Sequence, residues 1–248
     1  MSKFPHTELL YLADPTLTGH GEVIGIEETD YGIAIILNQT IFYPQGGGQP
    51  CDHGYLQGKD KKAEIISVRF DSGIVYHFQE DSSVVLSVGD AVTIHVDGDR
   101  RNLNCQNHTA GHLIDTAMIN CGYKFHPTKG YHFPDSPYVE YEGMIELEDR
   151  ERVCAELEEE ANKLIASGQE VESFIVEEYG QLHQHCATVP EYVPKDKPIR
   201  VVKVGGVGCP CGGTHVEDLS QIGCMRVHKI KVKSGNIRVS YRVESAGS

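Results

Sequence analysis

Two short dyads constrain this chain more than any other feature. His108-Thr-Ala-Gly-His112 and Cys211-Gly-Gly-Thr-His215 each offer two nitrogen or sulfur donors four residues apart. If His108 and His112 share a helix, both imidazoles leave the same face, because positions i and i+4 are neighbours there. Together the dyads supply His108, His112, Cys211 and His215, a donor set that suits a tetrahedral Zn2+ ion. The length of chain between them means that the fold, not a local motif, must bring the halves together. Gly212 and Gly213 let the second segment turn sharply and approach a metal closely.

The 248 residues suffice for one large domain or two smaller ones with real cores. No uninterrupted apolar run approaches a membrane span, so no membrane partner is expected. The opening stretch lacks the basic-then-apolar layout of a secretory signal, and the eight cysteines are scattered. Reduced thiols and a cytoplasmic setting are the expectation. The formal net charge of -14 argues against indiscriminate nucleic-acid binding. A local patch can still serve, and basic residues do cluster: Lys195, Lys197, Arg200 and Lys203, then Arg226, Lys229, Lys231, Lys233, Arg238 and Arg242.

Residues 8–97 read as β-rich. Short apolar or alternating runs at 23–26, 32–37, 63–68, 74–78 and 84–96 are punctuated at Asp30, Asn38, Asp71-Ser72-Gly73, Asp81-Ser82-Ser83 and Val88-Gly89-Asp90. Many short strands with regular turns suggest a small β-barrel. Within it, Gly46-Gly47-Gly48-Gln49 is poor strand material. It reads as a flexible hairpin tip or as a loop whose amides meet a phosphate or ribose.

The texture changes at Asp97. Residues 102–122 read as a helix with Leu103, Ala110, Leu113, Ile114, Ala117 and Met118 on its apolar side. Gly111 inside it costs about 1 kcal/mol against alanine, which invites a steric reason such as room beside the metal. Strands are expected at 131–133, 138–141, 171–176, 199–204, 225–233 and 237–243. The clearest helix is 148–167, with Val153, Leu157, Ala161 and Leu164 on one face. Residues 179–198 read as looser. The expected class is α/β (α+β): an N-terminal β-barrel domain over 1–97, then a zinc-binding α+β domain over 98–248.

These features, taken in order, resemble the editing domain shared by alanyl-tRNA synthetases and the free-standing AlaX proteins. The likeness rests on both metal dyads and on Phe42-Tyr-Pro-Gln-Gly-Gly-Gly-Gln49 with Asp52-His-Gly54. Glu160-Ala-Asn162 and Arg238-Val-Ser-Tyr-Arg242 complete it. It covers nearly the whole chain and is nearest to the medium-length class, AlaX-M. The resemblance implies zinc-dependent hydrolysis in trans of mischarged tRNA(Ala), chiefly seryl-tRNA(Ala) and next glycyl-tRNA(Ala). It also points to Gly46, Gly47, Gly48, Gln49, Gly111, Thr128 and Lys129 as substrate-binding. Lys229, Lys231, Lys233, Arg238 and Arg242 are candidates for phosphate contacts of the tRNA. Two departures touch the amino-acid pocket. Relatives often carry Thr or a bulkier residue at the position of Gly111, and Gln-Lys-Gly-Ser where this chain has Thr128-Lys129-Gly130-Tyr131.

No catalytic side chain is identifiable from sequence. The competing readings are a non-catalytic tRNA-binding module with a structural zinc, and a metal hydrolase acting on another small ester. His183-Gln-His185-Cys186 suggests a second metal. On a strand, however, alternate side chains point to opposite faces. Cys209-Pro-Cys211 reads as a redox pair, or Cys209 as an alternative ligand or, more simply, as a residue behind the ligands or in the loop.

Overall fold

Strand patterning in the first hundred residues resolves into a closed barrel. The computed structural model describes residues 3–81, 83 and 86–244. The expected turn residue Ser82 and the expected strand residues Val84 and Val85 lie outside them. The first eight strands are β1 (Glu8–Leu9), β2 (Thr18–Thr29), β3 (Gly32–Leu37), β4 (Gln39–Thr40), β5 (Gly54–Gln57), β6 (Lys62–Asp71), β7 (Ile74–Gln79) and β8 (Ala91–Val96). Six of them close in the order β2-β3-β7-β6-β5-β8, every neighbour antiparallel. Closure leaves no unpaired edge. The interior is filled by Val23, Ile35, Leu37, Leu56, Ile65, Val68, Val75, Val92 and Ile94. In β6 the in-out alternation changes phase after Ile65, where the register shifts and Ile66 is left 45% exposed. One inserted residue turns the strand's apolar set back to the inside.

The glycine motif closes as a tight turn. Gly46 and Gln49 exchange backbone hydrogen bonds of 3.2 and 2.8 Å, and Gly47 and Gly48 have φ of +53° and +79°. A two-residue turn with positive φ at both central positions is nearly glycine-specific. Its base is anchored by Asp52, fully buried, whose carboxylate accepts from the Tyr43 amide at 2.6 Å and from Arg101 Nε at 3.0 Å. Arg101 also donates to the Ile41 carbonyl.

By its contacts the chain divides into two compact units, residues 1–102 and 103–248. The second is built from α1 (Gly98–Asn120), β9 (His126–Tyr131), β10 (Tyr138–Glu142), α2 (Arg150–Ala166), β11 (Glu172–Val176), a short α3 (Leu182–His185), β12 (Ile199–Val204), β13 (Val207–Pro210), β14 (Cys224–Lys233) and β15 (Asn236–Glu244). One antiparallel sheet runs β14-β15-β10-β9, and a second runs β11-β12-β13. α1 starts four residues before the expected position, because Asp97 caps it: its carboxylate accepts from the Arg100 amide at 3.1 Å. The buried face of α2 is Val153, Leu157, Ala161 and Ile165. Ile165, not Leu164, continues the four-residue spacing. Asn162 stitches α2 to β14 by exchanging hydrogen bonds with Met225 on both its amide and its carbonyl. The segment expected to be loose contains α3, which holds His183 and His185 in one helical turn, not on a strand.

Candidate metal centre

α1 is buried on nearly all sides, yet the buried positions include Gln106, Asn107, His108, Thr109 and Thr116. Polar groups survive such burial only when partnered. Gln106 donates to the Gln221 carbonyl and Thr116 to the Val204 carbonyl. His108 and His112 leave the helix together, with ring centroids 4.9 Å apart. The loop after β13 brings Cys211 and His215 against them. Cys211 Sγ lies 3.6 Å from His108 Nε2 and 3.3 Å from His215 Nε2. One donor atom from each of the four residues falls within 4.8 Å of the others, the one such convergence among the described residues.

These separations fit a metal. Zinc–sulfur and zinc–nitrogen bonds of about 2.3 and 2.0–2.1 Å at tetrahedral angles put sulfur and nitrogen about 3.6 Å apart. The protonation states of the imidazoles fit too. Burial, reinforced by the neighbouring imidazoles and Arg200, pushes His108 and His215 well below the usual histidine range. Burial holds His112 down to about 4, with a smaller contribution from Arg200. Each ring is therefore neutral at neutral pH, with a proton on one nitrogen and a lone pair on the other. Burial raises the Cys211 thiol, while the Gly213 amide and Arg200 oppose that rise.

The surroundings orient each ligand. Thr109 Oγ1 donates its single proton to the Cys105 carbonyl at 2.8 Å, so it accepts from His215 Nδ1 at 3.1 Å. That leaves His215 Nε2 with its lone pair facing the cluster. Cys209 Sγ stands 3.2 Å from His112 Nδ1, behind a ligand and outside the converging group. Arg200 donates to the carbonyls of Cys211 and Gly213, each at 3.0 Å. It thus braces the metal loop, although the sequence groups it with the basic cluster. Asp115 accepts from the Tyr141 hydroxyl at 2.6 Å and lies 3.9 Å from His112 Nδ1. Burial pushes its carboxyl up to about 7. Its side chain is still 26% exposed, so solvent limits that rise.

A fourth imidazole, absent from the sequence expectations, joins the cluster. His132 is buried, stacks on His108 at 4.7 Å, and is held down to about 3 by burial and by His112. It explains Gly111. A Cβ there would stand 2.3 Å from His132 Cε1, so the missing side chain makes room for a ring and not for the metal. The mid-helix glycine was the one signal in the sequence, and it did not name its partner.

The remaining predicted residues fall as follows. Thr128 is exposed and donates to the Glu140 carbonyl; Lys129 is exposed on β9. Gln49 is fully buried, and the Gly46 amide is spent within its turn, leaving Gly47 and Gly48 at the tip. Lys229, Lys231 and Lys233 are exposed on β14, with no carboxylate in ion-pair reach among the described residues. Arg238 pairs with Glu140 at 2.7 Å and covers the Tyr138 ring; Arg242 pairs with Glu244 at 2.9 Å.

Comparison with known proteins agrees with this architecture. A family model described as class II tRNA synthetases (A) matches residues 17–100. The alanyl-tRNA editing protein AlaX-L of Pyrococcus horikoshii is 32% identical over 241 residues, 96% of this chain and 57% of that protein. Over nearly its whole length the chain is similar to an AlaX-type editing protein. The alanine–tRNA ligases of Methanoregula boonei and Methanothermobacter thermautotrophicus are each 30% identical to this chain. The matches cover 99% and 98% of it, but only 26% and 27% of those enzymes. The chain thus spans just over half the length of AlaX-L and about a quarter of the ligases. No helix among the described residues is long and apolar enough to cross a membrane.

Proposed function

We propose that this chain is a zinc-dependent deacylase. It hydrolyses in trans the ester of mischarged tRNA(Ala), chiefly seryl-tRNA(Ala) and next glycyl-tRNA(Ala), in the cytoplasm. The observation that carries the reading is the convergence of His108, His112, Cys211 and His215 in a chain similar to an AlaX-type editing protein. Bound there, zinc would polarise the ester carbonyl or bring the pKa of a water to about 7. The four side chains hold the ion. Thr109 and Arg200 hold the ligands, and the neutral imidazoles keep competing protons out at physiological pH. On this reading residues 1–97 form the glycine-motif domain and 98–248 the editing domain. Gly47 and Gly48 offer amides to the acceptor end, and Lys229, Lys231 and Lys233 contact phosphates.

One observation favours a second reading. Four protein donors saturate a tetrahedral ion, as in structural sites. A non-catalytic tRNA-binding module would look the same at this level. Single-turnover hydrolysis of seryl-, glycyl-, alanyl- and threonyl-tRNA, with and without chelator, separates them. The deacylase cleaves seryl-tRNA(Ala), spares alanyl-tRNA and stops when the metal is removed. A protein that binds tRNA but cleaves none of the four is the module.

A further inference from the structure

His132 is oriented by the same device that orients the ligand His215, but it is not one of the four converging donors. The Tyr241 hydroxyl has a single proton, and it donates that proton to the Asn107 carbonyl at 2.8 Å. A carbonyl can only accept. Tyr241 must therefore accept from His132 Nδ1, also at 2.8 Å, and the neutral ring carries its proton on Nδ1. His132 Nε2 is left with a lone pair, and among the described residues the ring's hydrogen bond is the one at Nδ1. Thr109 does the same for His215, through the Cys105 carbonyl. In both cases a hydroxyl tied to an α1 carbonyl sets the tautomer.

The two rings differ in what their Nε2 meets. His215 faces Cys211. His132 sits one ring further out, stacked on His108, with its centroid 6.4 Å from that of His112. Its Nε2 lies beside Gly130, where a Cβ would come within 2.4 Å. A side chain at position 130 would cover that nitrogen; glycine leaves it uncovered. An acceptor of fixed tautomer on a buried ring, kept clear by two glycines and adjacent to the converging donors, is built to receive a proton donor.

We propose that His132 Nε2 is a fixed hydrogen-bond acceptor for a hydroxyl group beside the metal centre. That hydroxyl is either the side chain of the esterified amino acid or the water that attacks the ester. The proposal rests on the deacylase reading for the identity of the hydroxyl, while the acceptor itself stands on the hydrogen-bond geometry. A site that expects a hydroxyl discriminates strongly against substrates lacking one, because its own polar group is otherwise left unpaired.

The test uses the zinc-loaded full chain with His132→Leu, His132→Gln and Tyr241→Phe. Tyr241→Phe keeps both rings and removes only the hydroxyl that sets the tautomer. It serves if the His132 variants fail to fold. The expected results are retained zinc in a chelator competition and an Nδ1-protonated His132 in the long-range proton–nitrogen spectrum of the wild type. Seryl-tRNA hydrolysis falls about 10²-fold in His132→Leu, recovers in part in His132→Gln, and falls about tenfold in Tyr241→Phe. If only seryl-tRNA suffers, the partner is the substrate hydroxyl. If seryl- and glycyl-tRNA lose kcat in parallel with KM unchanged, the partner is water. The proposal is overturned by an Nε2-protonated ring, by wild-type rates in His132→Leu, or by loss of activity that only tracks loss of zinc. A wild type that cleaves no aminoacyl-tRNA sinks the deacylase reading instead, and the spectrum still reports on the acceptor.

Discussion

Each unit of this protein buries histidine, and the contrast between them separates a structural imidazole from a ligand. In the barrel, His77 is fully buried and satisfied at both ends: Nδ1 donates to the Ile35 carbonyl and Nε2 accepts from Thr40 Oγ1, each at 2.9 Å. Nothing is left for a ligand. In the second unit, His108, His112 and His215 aim nitrogens at one another and at a thiol. Four such donors crowded together gain little from mutual contact, and the group could hold a metal ion. Burial depresses the pKa in both places, so the shift alone does not distinguish them. The fate of the second ring nitrogen does.

The sharpest way to break this contrast is to remove one histidine from each unit. His108→Ala should abolish stoichiometric zinc and cut seryl-tRNA(Ala) hydrolysis by about 10³-fold, roughly 4 kcal/mol on the barrier. His77→Gln should leave zinc content and rate unchanged. Metal analysis and single-turnover rates on both variants check this, and zinc retained by His108→Ala would refute the metal assignment.

Next in size is the contribution of His77 to the pH dependence of stability. His77 is held down to about 4, against 6.5 when unfolded. Its neutral form stabilises the fold fully above pH 6.5. As pH falls towards 4, the unfolded chain takes up a proton that the folded chain refuses, and about 3 kcal/mol is lost. Urea unfolding at stepped pH should show this fall in wild type and a flatter profile in His77→Gln. Identical profiles would argue against it.

Gly111→Ala probes the crowding around His132. Alanine gains about 1 kcal/mol of helix propensity, but its Cβ would collide with a buried ring. Overpacking costs about 1–3 kcal/mol, so we expect a net loss of stability that His132→Ala relieves in the double variant. The smallest effect should come from the surface. Charge reversal at Lys231 and Lys233 should weaken tRNA binding about tenfold and reduce its salt slope by about one to two units, with zinc and folding intact. An unchanged slope would remove these lysines from the RNA interface.

Much of this was legible in the chain itself. Alternation and turn residues pointed to the barrel, and four-residue spacing pointed to the dyads on α1 and on the loop after β13. Errors fell where a single residue changes the phase or a cap extends an element. Asp97 lengthened α1, and Ile165 took the place of Leu164 on α2. The extra residue Ile66 is invisible to a strict period of two. His132, Tyr241 and Arg200 were not legible as parts of the site, because each sits in an ordinary strand-like run or basic cluster and acquires its role from a distant partner.

Local pattern, then, determined the barrel, the helices and the identity of the four donors, because hydrophobic period and ligand spacing act between near neighbours in sequence. Only tertiary structure decided which histidines are saturated and which are open. It also decided which nitrogen of His215 and of His132 carries the proton. Those outcomes depend on hydroxyls and carbonyls that chain folding brings together: Tyr241 against His132, and Asn107 against Tyr241. A tautomer is fixed by the partners around a ring, and sequence order does not specify them.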